Sequence, residues 1–281
     1  MLPLDRPAHT AKEAFVACIS RVRIPALKAR LVSVTQSIVD ASDEYEAAAE
    51  AQTLDQIARN PLVNGVVTTA EMEAVYTDRM AKQNTPGRPI YDDIFAAAKG
   101  RCPLCAHRAV TTLDHHLPKA HYPALAVAPL NLVPSCSDCN KAKLASVPHT
   151  PEDVSIHPYF DNVDSERWLY ADVVEAAPAS VRFRVKAPDA WDELLAERVR
   201  RHFRGLKLSS LYGSEAAEEL LNMRHLLTAI LATGGAREVR SYLVEHTESC
   251  LAGRLNGWRG ATYEAWAASN WFCEGGFSGV G

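Results

Sequence analysis

Residues 102–143 read CPLCAHRAVTTLDHHLPKAHYPALAVAPLNLVPSCSDCNKAK. This stretch contains two Cys-x-x-Cys pairs, Cys102/Cys105 and Cys136/Cys139, which hold four of the seven cysteines of the chain. Each pair can place two thiolates on one side of a tight turn, so two pairs together complete a tetrahedral sulfur shell for one zinc ion. We therefore predict a structural zinc site, because four sulfur ligands leave no coordination position open for a substrate.

A polar run, residues 114–118, lies between the two cysteine pairs and reads DHHLP. His115 is a candidate general base, because an imidazole titrates near neutral pH. Asp114 supplies the hard carboxylate oxygen that Mg²⁺ and Mn²⁺ prefer. These residue types are the ones that metal-assisted hydrolysis requires. The alternative is a zinc knuckle whose histidines have no catalytic role.

The order of these elements resembles the HNH endonuclease family in its zinc-stapled form. The family pattern is CxxC, then DH-x-x-P, then an asparagine, then CxxCN-x-x-K. In this sequence the third element is Asn131, and the fourth begins at Cys136 and ends at Lys143. The resemblance is confined to the region around residues 102–143. It implies a ββα-metal finger that hydrolyses phosphodiester bonds in DNA.

The resemblance also implies a role for each matching residue. His115 would deprotonate the attacking water, Asp114 and Asn140 would hold one Mg²⁺ or Mn²⁺ ion, and Asn131 would brace the loop that carries the base. Asn140 stands where other family members have the last histidine. Because an amide oxygen is a weaker ligand than an imidazole, we expect this ion to be loosely held and largely hydrated.

Further polar residues are candidates for contact with the substrate. Histidines that could assist at the metal or the scissile phosphate are His116, His121 and His157. Cationic candidates for phosphate contact are Lys119, Lys141, Lys143, Arg200 and Arg204. For the two arginines the alternative is an ordinary solvated helix face, on which Glu197 pairs with Arg200 or Arg201.

The composition of the chain is that of a globular protein, with 47% hydrophobic and 23% charged residues among 281. We expect a cytoplasmic protein without membrane association, because the sequence has neither a long apolar run nor a signal-peptide pattern. Thiols are reduced in that compartment, which favours zinc over disulfides. Cys18, Cys250 and Cys273 are isolated, and we expect them to be small apolar residues of the core.

The net charge of −4 is unusual for a protein that holds DNA unaided. The segment charges are −1 for residues 1–101, +2 for 102–150 and −5 for 151–281. Either a local basic patch is sufficient, or a partner supplies much of the binding. We hypothesise an effector of restriction or phage defence that works with an ATPase or sensor protein on DNA, with RNA not excluded.

The predicted fold class is α+β and mainly helical. We expect a helical N-terminal region over 1–88, the zinc-stapled ββα-metal core over 89–160, and a hairpin plus helices over 161–281. A capping box is predicted from Thr68 to Glu71, and alternating apolar residues predict a hairpin over 168–174 and 181–185.

Two other classes of protein remain open at this point. A non-catalytic zinc module would bind nucleic acid or a partner protein, and it would need Cys136 but not His115. A dithiol redox protein would form reversible disulfides at its Cys-x-x-Cys pairs, although the thioredoxin-like context of such proteins is missing.

Overall fold

The computed structural model of the protein describes residues 1–143 and 146–279. The chain divides into two compact units, Met1–Asn162 and Val163–Gly281. The predicted α+β class is confirmed in its coarse form, because helices predominate and the sheets in the described part are small antiparallel pairs of strands. Among the described residues, no helix has both the length and the apolar character needed to cross a membrane.

The first unit is built mainly from helices. In chain order these are α1 (Ala11–Ile19), α2 (Pro25–Ser33), α3 (Thr35–Glu50), α4 (Thr69–Val75), α5 (Arg88–Ala97) and α6 (Ser137–Lys143). The strands are β1 (Leu62–Val63), β2 (Val67–Thr68), β3 (Thr112–His115) and β4 (Leu132–Ser135). β1 pairs with β2, and β3 pairs with β4.

The start of α4 confirms the predicted capping box. The N–H of Glu71 donates to Thr68 Oγ1 at 3.3 Å, and the N–H of Thr68 donates to Glu71 Oε2 at 3.0 Å. These reciprocal bonds satisfy two backbone donors that the first helical turn leaves without a partner. α4 continues into a π-helical segment, Tyr76–Ala81, which keeps Met72 and Met80 buried.

One hydrophobic core extends through the first unit. It includes Phe15 from α1, Ile38 from α3, Met72 from α4 and Leu113 from β3. Residues 1–88 and 89–160, which the sequence analysis treats as separate regions, therefore share a core. The physical reason is that a hairpin of two short strands cannot bury enough apolar surface to be stable alone.

The β3–β4 hairpin differs in its boundaries from the sequence pattern. The β-type run from Ala109 to Leu113 predicts a first strand that ends at Asp114, but β3 begins at Thr112. Ala109 instead bridges to Arg101, and Val110 donates its N–H to Gly100 at 3.1 Å. These bonds attach the start of the predicted strand to the segment that carries the first cysteine pair, so the ladder begins later. As a result Asp114 lies within the ladder, opposite Val133.

The outer edges of this hairpin are closed by tyrosine hydroxyls. Leu113 donates its N–H to Tyr91 Oη at 3.2 Å and accepts from Tyr76 Oη at 3.1 Å. On the other strand, Tyr159 Oη donates to the carbonyl of Leu132 at 2.8 Å. Leu113 lies opposite Pro134, which has no N–H. Because both backbone groups of Leu113 bond to the tyrosines and not to Pro134, the missing N–H costs the ladder no hydrogen bond.

The second unit contains the other predicted hairpin, which is confirmed. Its elements are β5 (Leu169–Val174), β6 (Ser180–Val185), α7 (Glu193–Gly205), α8 (Leu208–Gly253), α9 (Trp258–Ala268) and α10 (Asn270–Cys273). α8 is interrupted at Gly235, whose φ of 72° and ψ of −174° are not helical. Glycine adopts this conformation without a steric penalty, so the long segment is divided there into two helical parts.

Candidate metal centre and active site

The four cysteines of the two Cys-x-x-Cys pairs come together in the first unit. The sulfur atoms of Cys102, Cys105, Cys136 and Cys139 all lie within 4.8 Å of one another, and all four residues are buried. The backbone at the first pair turns sharply, with Ala106 at a φ of 54°. Four soft sulfur donors at this separation could bind a metal ion such as zinc.

Backbone N–H groups support the negative charge that metal ligation requires of the sulfurs. Arg108 N–H donates to Cys105 Sγ and Cys139 N–H donates to Cys136 Sγ, each at 3.4 Å. The neighbouring Cys102 thiol, together with the Arg108 N–H, lowers the pKa of Cys105 to about 7. All four thiols converge on one point, which favours a metal site over two separate redox dithiols.

The second cysteine pair also starts α6 earlier than predicted. The sequence pattern predicts a closing helix from Asn140 onward, whereas α6 begins at Ser137. Asn140 N–H donates to the carbonyl of Cys136 at 3.0 Å, so the Cys-x-x-Cys turn itself becomes the first helical turn. Asn140 is half-buried in this helix, one residue after Cys139.

His115 is a buried residue of β3 with a defined tautomer. Its Nε2 lies 2.9 Å from the carbonyl oxygen of Ala126, which can only accept a hydrogen bond. The proton of the neutral ring is therefore on Nε2, and Nδ1 keeps its lone pair. Burial is the main cause that lowers the pKa of His115 to about 3, so the ring is neutral near pH 7 and does not titrate near neutral pH as the sequence analysis expected. The ring of Tyr76 contacts it edge-on, with centroids 4.4 Å apart.

Asp114 forms a mostly buried ion pair with Lys143. Lys143 Nζ lies 2.9 Å from Asp114 Oδ2, and the two side chains are 12% and 11% exposed. Lys143 also donates to the carbonyl of His115. Lys143 was predicted to contact phosphate, but the structure directs it inward, because a buried carboxylate requires a nearby cation. Burial lowers the pKa of Lys143, and the charge of Asp114 opposes this shift.

Asn131 is fully buried beside the end of β3. Its Oδ1 accepts from the N–H of Leu117 at 2.7 Å. Its Nδ2 donates to the carbonyls of Leu117 at 2.9 Å and of Leu125 at 3.2 Å. The Asn131 carbonyl accepts from His116 N–H at 2.8 Å. Asn131 therefore holds the segment that directly follows His115.

Two of the candidate histidines, His116 and His157, are buried next to each other, together with Tyr45. The rings of His116 and His157 are stacked, with centroids 4.1 Å apart and an interplanar angle of 31°. His157 Nε2 lies 2.9 Å from the hydroxyl of Tyr45 on α3. His121, by contrast, is exposed on the turn after Pro118.

The comparisons with known proteins give one informative relative. No family model matches the chain, and no solved structure matches it. Protein ea31 of Escherichia phage lambda is 31% identical over 228 residues, which cover 76% of this chain and 77% of that protein. The chain belongs to the ea31 family. The name ea31 describes no activity, so the chemistry of this ea31-family member has to be argued from its side chains.

The other two lysine candidates of this ea31-family protein, Lys119 and Lys141, are at least partly exposed to solvent. Lys141 is exposed on α6. Lys119 is half-buried, and its Nζ lies 5.6 Å from the centroid of the Tyr76 ring, which contacts His115. Lys119 therefore lies near His115, and it forms no ion pair with a carboxylate in the part of the chain that the structure describes.

The arginine candidates are paired along α7, in the second unit. Arg200 Nη1 lies 2.8 Å from Glu193 Oε1, and Arg204 Nη2 lies 3.0 Å from Glu197 Oε1. Arg201 also pairs with Glu197, at 3.1 Å. This arrangement is the solvated face that the sequence analysis kept as its alternative. Their predicted role as DNA contacts therefore has no support from the geometry of α7.

Sequence reasoning missed Tyr45 entirely. The segment around α3 is alanine-rich and acidic, a composition that predicts an exposed face of scaffold or partner surface, yet Tyr45 is completely buried. A signal was present, because Tyr45 follows Ile38 by seven residues and so lies on the same inward stripe of the helix. What the sequence could not supply was the partner of its hydroxyl, which lies 112 residues away.

Proposed function

We propose that this protein is a metal-dependent endonuclease of the HNH type, which hydrolyses phosphodiester bonds in DNA. The observation that carries the proposal is the geometry of His115. Its Nε2–H is bound to the carbonyl of Ala126, so Nδ1 is held as a proton acceptor on the residue next to the carboxylate of Asp114. A neutral imidazole beside a carboxylate is the pair that base-assisted, metal-assisted hydrolysis needs.

The local architecture supports the same proposal. β3, β4 and α6 follow one another in the chain, and β3 pairs with β4. One cysteine pair precedes β3, and the other spans the start of α6. A zinc ion bound by these sulfurs would tie both ends of the hairpin and helix together. We assign this ion a structural role, since four thiolates complete a tetrahedral shell.

In the proposed reaction, His115 Nδ1 takes the proton of a water molecule that attacks the phosphorus in line with the leaving oxygen. Asp114 and Asn140 are the residues that would hold a Mg²⁺ or Mn²⁺ ion. When bound, this ion neutralises charge on the phosphoryl and leaving oxygens. Lys143 engages one carboxylate oxygen of Asp114, and the second oxygen would be the one that could hold a metal ion. This shared carboxylate fits a weakly held ion.

The test is cleavage of a plasmid by purified protein with added Mg²⁺ or Mn²⁺. We expect wild type to cut and His115→Ala to lose activity by about 10²- to 10⁴-fold, the usual contribution of a general base. His149→Ala is the matched control, because His149 is an exposed histidine of the same unit that is not a candidate for the site. Equal cutting by His115→Ala and wild type, with zinc retained in both, would refute the proposed base.

We place this activity in restriction or phage defence, together with an ATPase or sensor protein. The support is the acidic net charge of −4 and a second unit whose cationic residues on α7 are internally paired. Purification of the tagged protein from cells under mild conditions should recover such a partner. Full activity of the isolated protein, with nothing co-purifying, would contradict this role.

A non-catalytic zinc module that binds nucleic acid or a protein is the second candidate. The observation that favours it is the Asp114–Lys143 ion pair, which already neutralises the carboxylate. Under this alternative His115→Ala keeps the biological function intact, whereas Cys136→Ser abolishes it by unfolding the core. Cutting by wild type excludes a module without catalytic function. No cutting with either ion leaves this module and an effector that needs its partner, and the same assay with the co-purified partner added separates these two.

A further inference from the structure

Tyr45, His157 and His116 form a buried column that leads from α3 to the proposed active site. Tyr45 is 0% exposed, His157 1% and His116 5%. The column is continuous, because the Tyr45 hydroxyl contacts His157 Nε2 at 2.9 Å and the two histidine rings stack at 4.1 Å. Phe160 closes one side, with its ring at 88° to that of His157.

The protons of this column can be assigned from its donors and acceptors. The backbone N–H of Tyr159 points to His157 Nδ1 at 3.2 Å, and an N–H can only donate. His157 Nδ1 is therefore unprotonated, and the proton of the neutral ring lies on Nε2, from which it is donated to Tyr45 Oη. Burial raises the pKa of Tyr45 well above its usual value, so the hydroxyl stays protonated.

The main chain of His157 is held as firmly as its ring. Its N–H donates to Asp161 Oδ2 at 2.7 Å, and its carbonyl accepts from the N–H groups of Phe160 and Asp161. The ring has little freedom to rotate, because both nitrogens have directional partners. It therefore offers His116 a stacking surface of fixed orientation.

His116 transmits this orientation to the site. His116 is the first residue after β3, so its backbone is continuous with that of His115. Its N–H is bonded to the Asn131 carbonyl at 2.8 Å. A shift of the His116 ring would thus move the strand end that carries both proposed catalytic residues.

We propose that Tyr45, His157 and His116 are positioning residues for this site, in which the Tyr45 hydroxyl orients His157 and the stacked His116 ring then sets the geometry of Asp114 and His115. The inference rests on the proposed nuclease function. It assigns to α3 a part in catalysis, although α3 lies far from the zinc-stapled segment in the sequence.

The decisive variant is Tyr45→Phe, which removes one oxygen and keeps the ring. We expect kcat to fall about ten- to a hundredfold with KM nearly unchanged, because small displacements of reacting groups have effects of this size. Zinc content and the unfolding midpoint should stay close to wild type. Tyr263→Phe is the matched control: it removes another hydroxyl hydrogen bond of a buried tyrosine, to Glu219 in the second unit, and should leave kcat unchanged.

A second pair of variants tests the hydrogen bond itself. In His157→Gln, the amide nitrogen can still donate to Tyr45 Oη. We therefore expect kcat of His157→Gln to lie between that of wild type and that of His157→Ala, which has no donor at this position. Nitrogen-detected NMR of the wild-type imidazoles should place the His157 proton on Nε2.

The possible failures of the two proposals are distinguishable. Active wild type with equally active Tyr45→Phe and His157→Ala overturns the positioning role alone. Wild type that stays inactive even with its co-purified partner added overturns the proposed nuclease and this inference with it. Two other results overturn the positioning role in favour of a purely structural one. The first is a fall in kcat with an equal loss of zinc, and the second is an equal fall in kcat for His157→Gln and His157→Ala.

Discussion

The two longer hairpins of this protein bury their residues in opposite ways. In the first unit, all four residues of β4 are buried, and β3 directs Asp114 and His115 into mostly buried surroundings. In the second unit, β6 alternates, so that Phe183 is buried and Arg184 is exposed. A sheet covered on both faces loses its alternating pattern, whereas a sheet with one solvated face keeps it.

The difference extends to the polar groups of each hairpin. Arg184 and Asp172 form a cross-strand ion pair at 2.6 Å, with side chains 48% and 56% exposed. In the first hairpin, Asp114 pairs with Lys143 of α6 instead, and both side chains are almost completely shielded from water. We conclude that the second hairpin folds through its own amphipathic pattern, whereas the first depends on groups contributed by other parts of its unit.

The largest expected effect is that of removing the metal. We expect Cys136→Ser to unfold the first unit and leave β5 and β6 protected from hydrogen exchange. A structural zinc contributes on the order of 10 kcal/mol, which is comparable to the whole stability of a domain. Metal analysis and residue-resolved exchange measure the two effects. Cys250→Ser is the control, and a Cys136→Ser protein with one tightly bound zinc would contradict the cluster.

The next effect is that of breaking the buried ion pair. We expect Lys143→Met to lower the free energy of unfolding by about 3 kcal/mol, because it leaves the Asp114 carboxylate buried without its cation. Urea unfolding provides the measurement. Combining Lys143→Met with Asp114→Asn should recover much of the lost free energy of unfolding, because no buried charge then remains unpaired. If the single variant is as stable as wild type, the carboxylate is better solvated than its 11% exposure indicates.

A buried asparagine lies next to each hairpin, so the same asparagine-to-alanine change can be compared in the two units. Asn256 Oδ1 accepts from the N–H groups of Trp168 and Leu169, as Asn131 Oδ1 does from Leu117. We expect either asparagine-to-alanine change to cost about 2 kcal/mol, since it leaves buried backbone groups unpaired. Hydrogen exchange should localise each loss to its own unit. Losses that spread equally through both units would contradict the division of the chain.

The smallest effect should come from the exposed pair. We expect Arg184→Ala to change the free energy of unfolding by less than about 1 kcal/mol, the usual range for surface ion pairs. A double-mutant cycle with Asp172→Ala measures the coupling, which should weaken further at high salt. A coupling as large as that of Asp114 with Lys143 would mean that burial is not what separates the two hairpins.

Local patterns were predictable, because neighbours in the sequence create them. The capping box at Thr68 and the alternation of β5 and β6 both follow from residues a few positions apart. The boundaries of β3 were predicted incorrectly, because Ala109 and Val110 are recruited by the segment before the first cysteine pair. That competition between two pairings is invisible in a local pattern.

The sequence by itself determined which chemical groups are available: two cysteine pairs at ligand spacing, and a histidine beside an aspartate. The tertiary structure alone decided how they are used. It orients His115 through Ala126, turns Lys143 toward Asp114, and brings Tyr45 to His157 across 112 residues. The physical reason is that periodicity and spacing report the local preferences of the backbone, whereas hydrogen-bond partners and burial depend on contacts between segments that are distant in the chain.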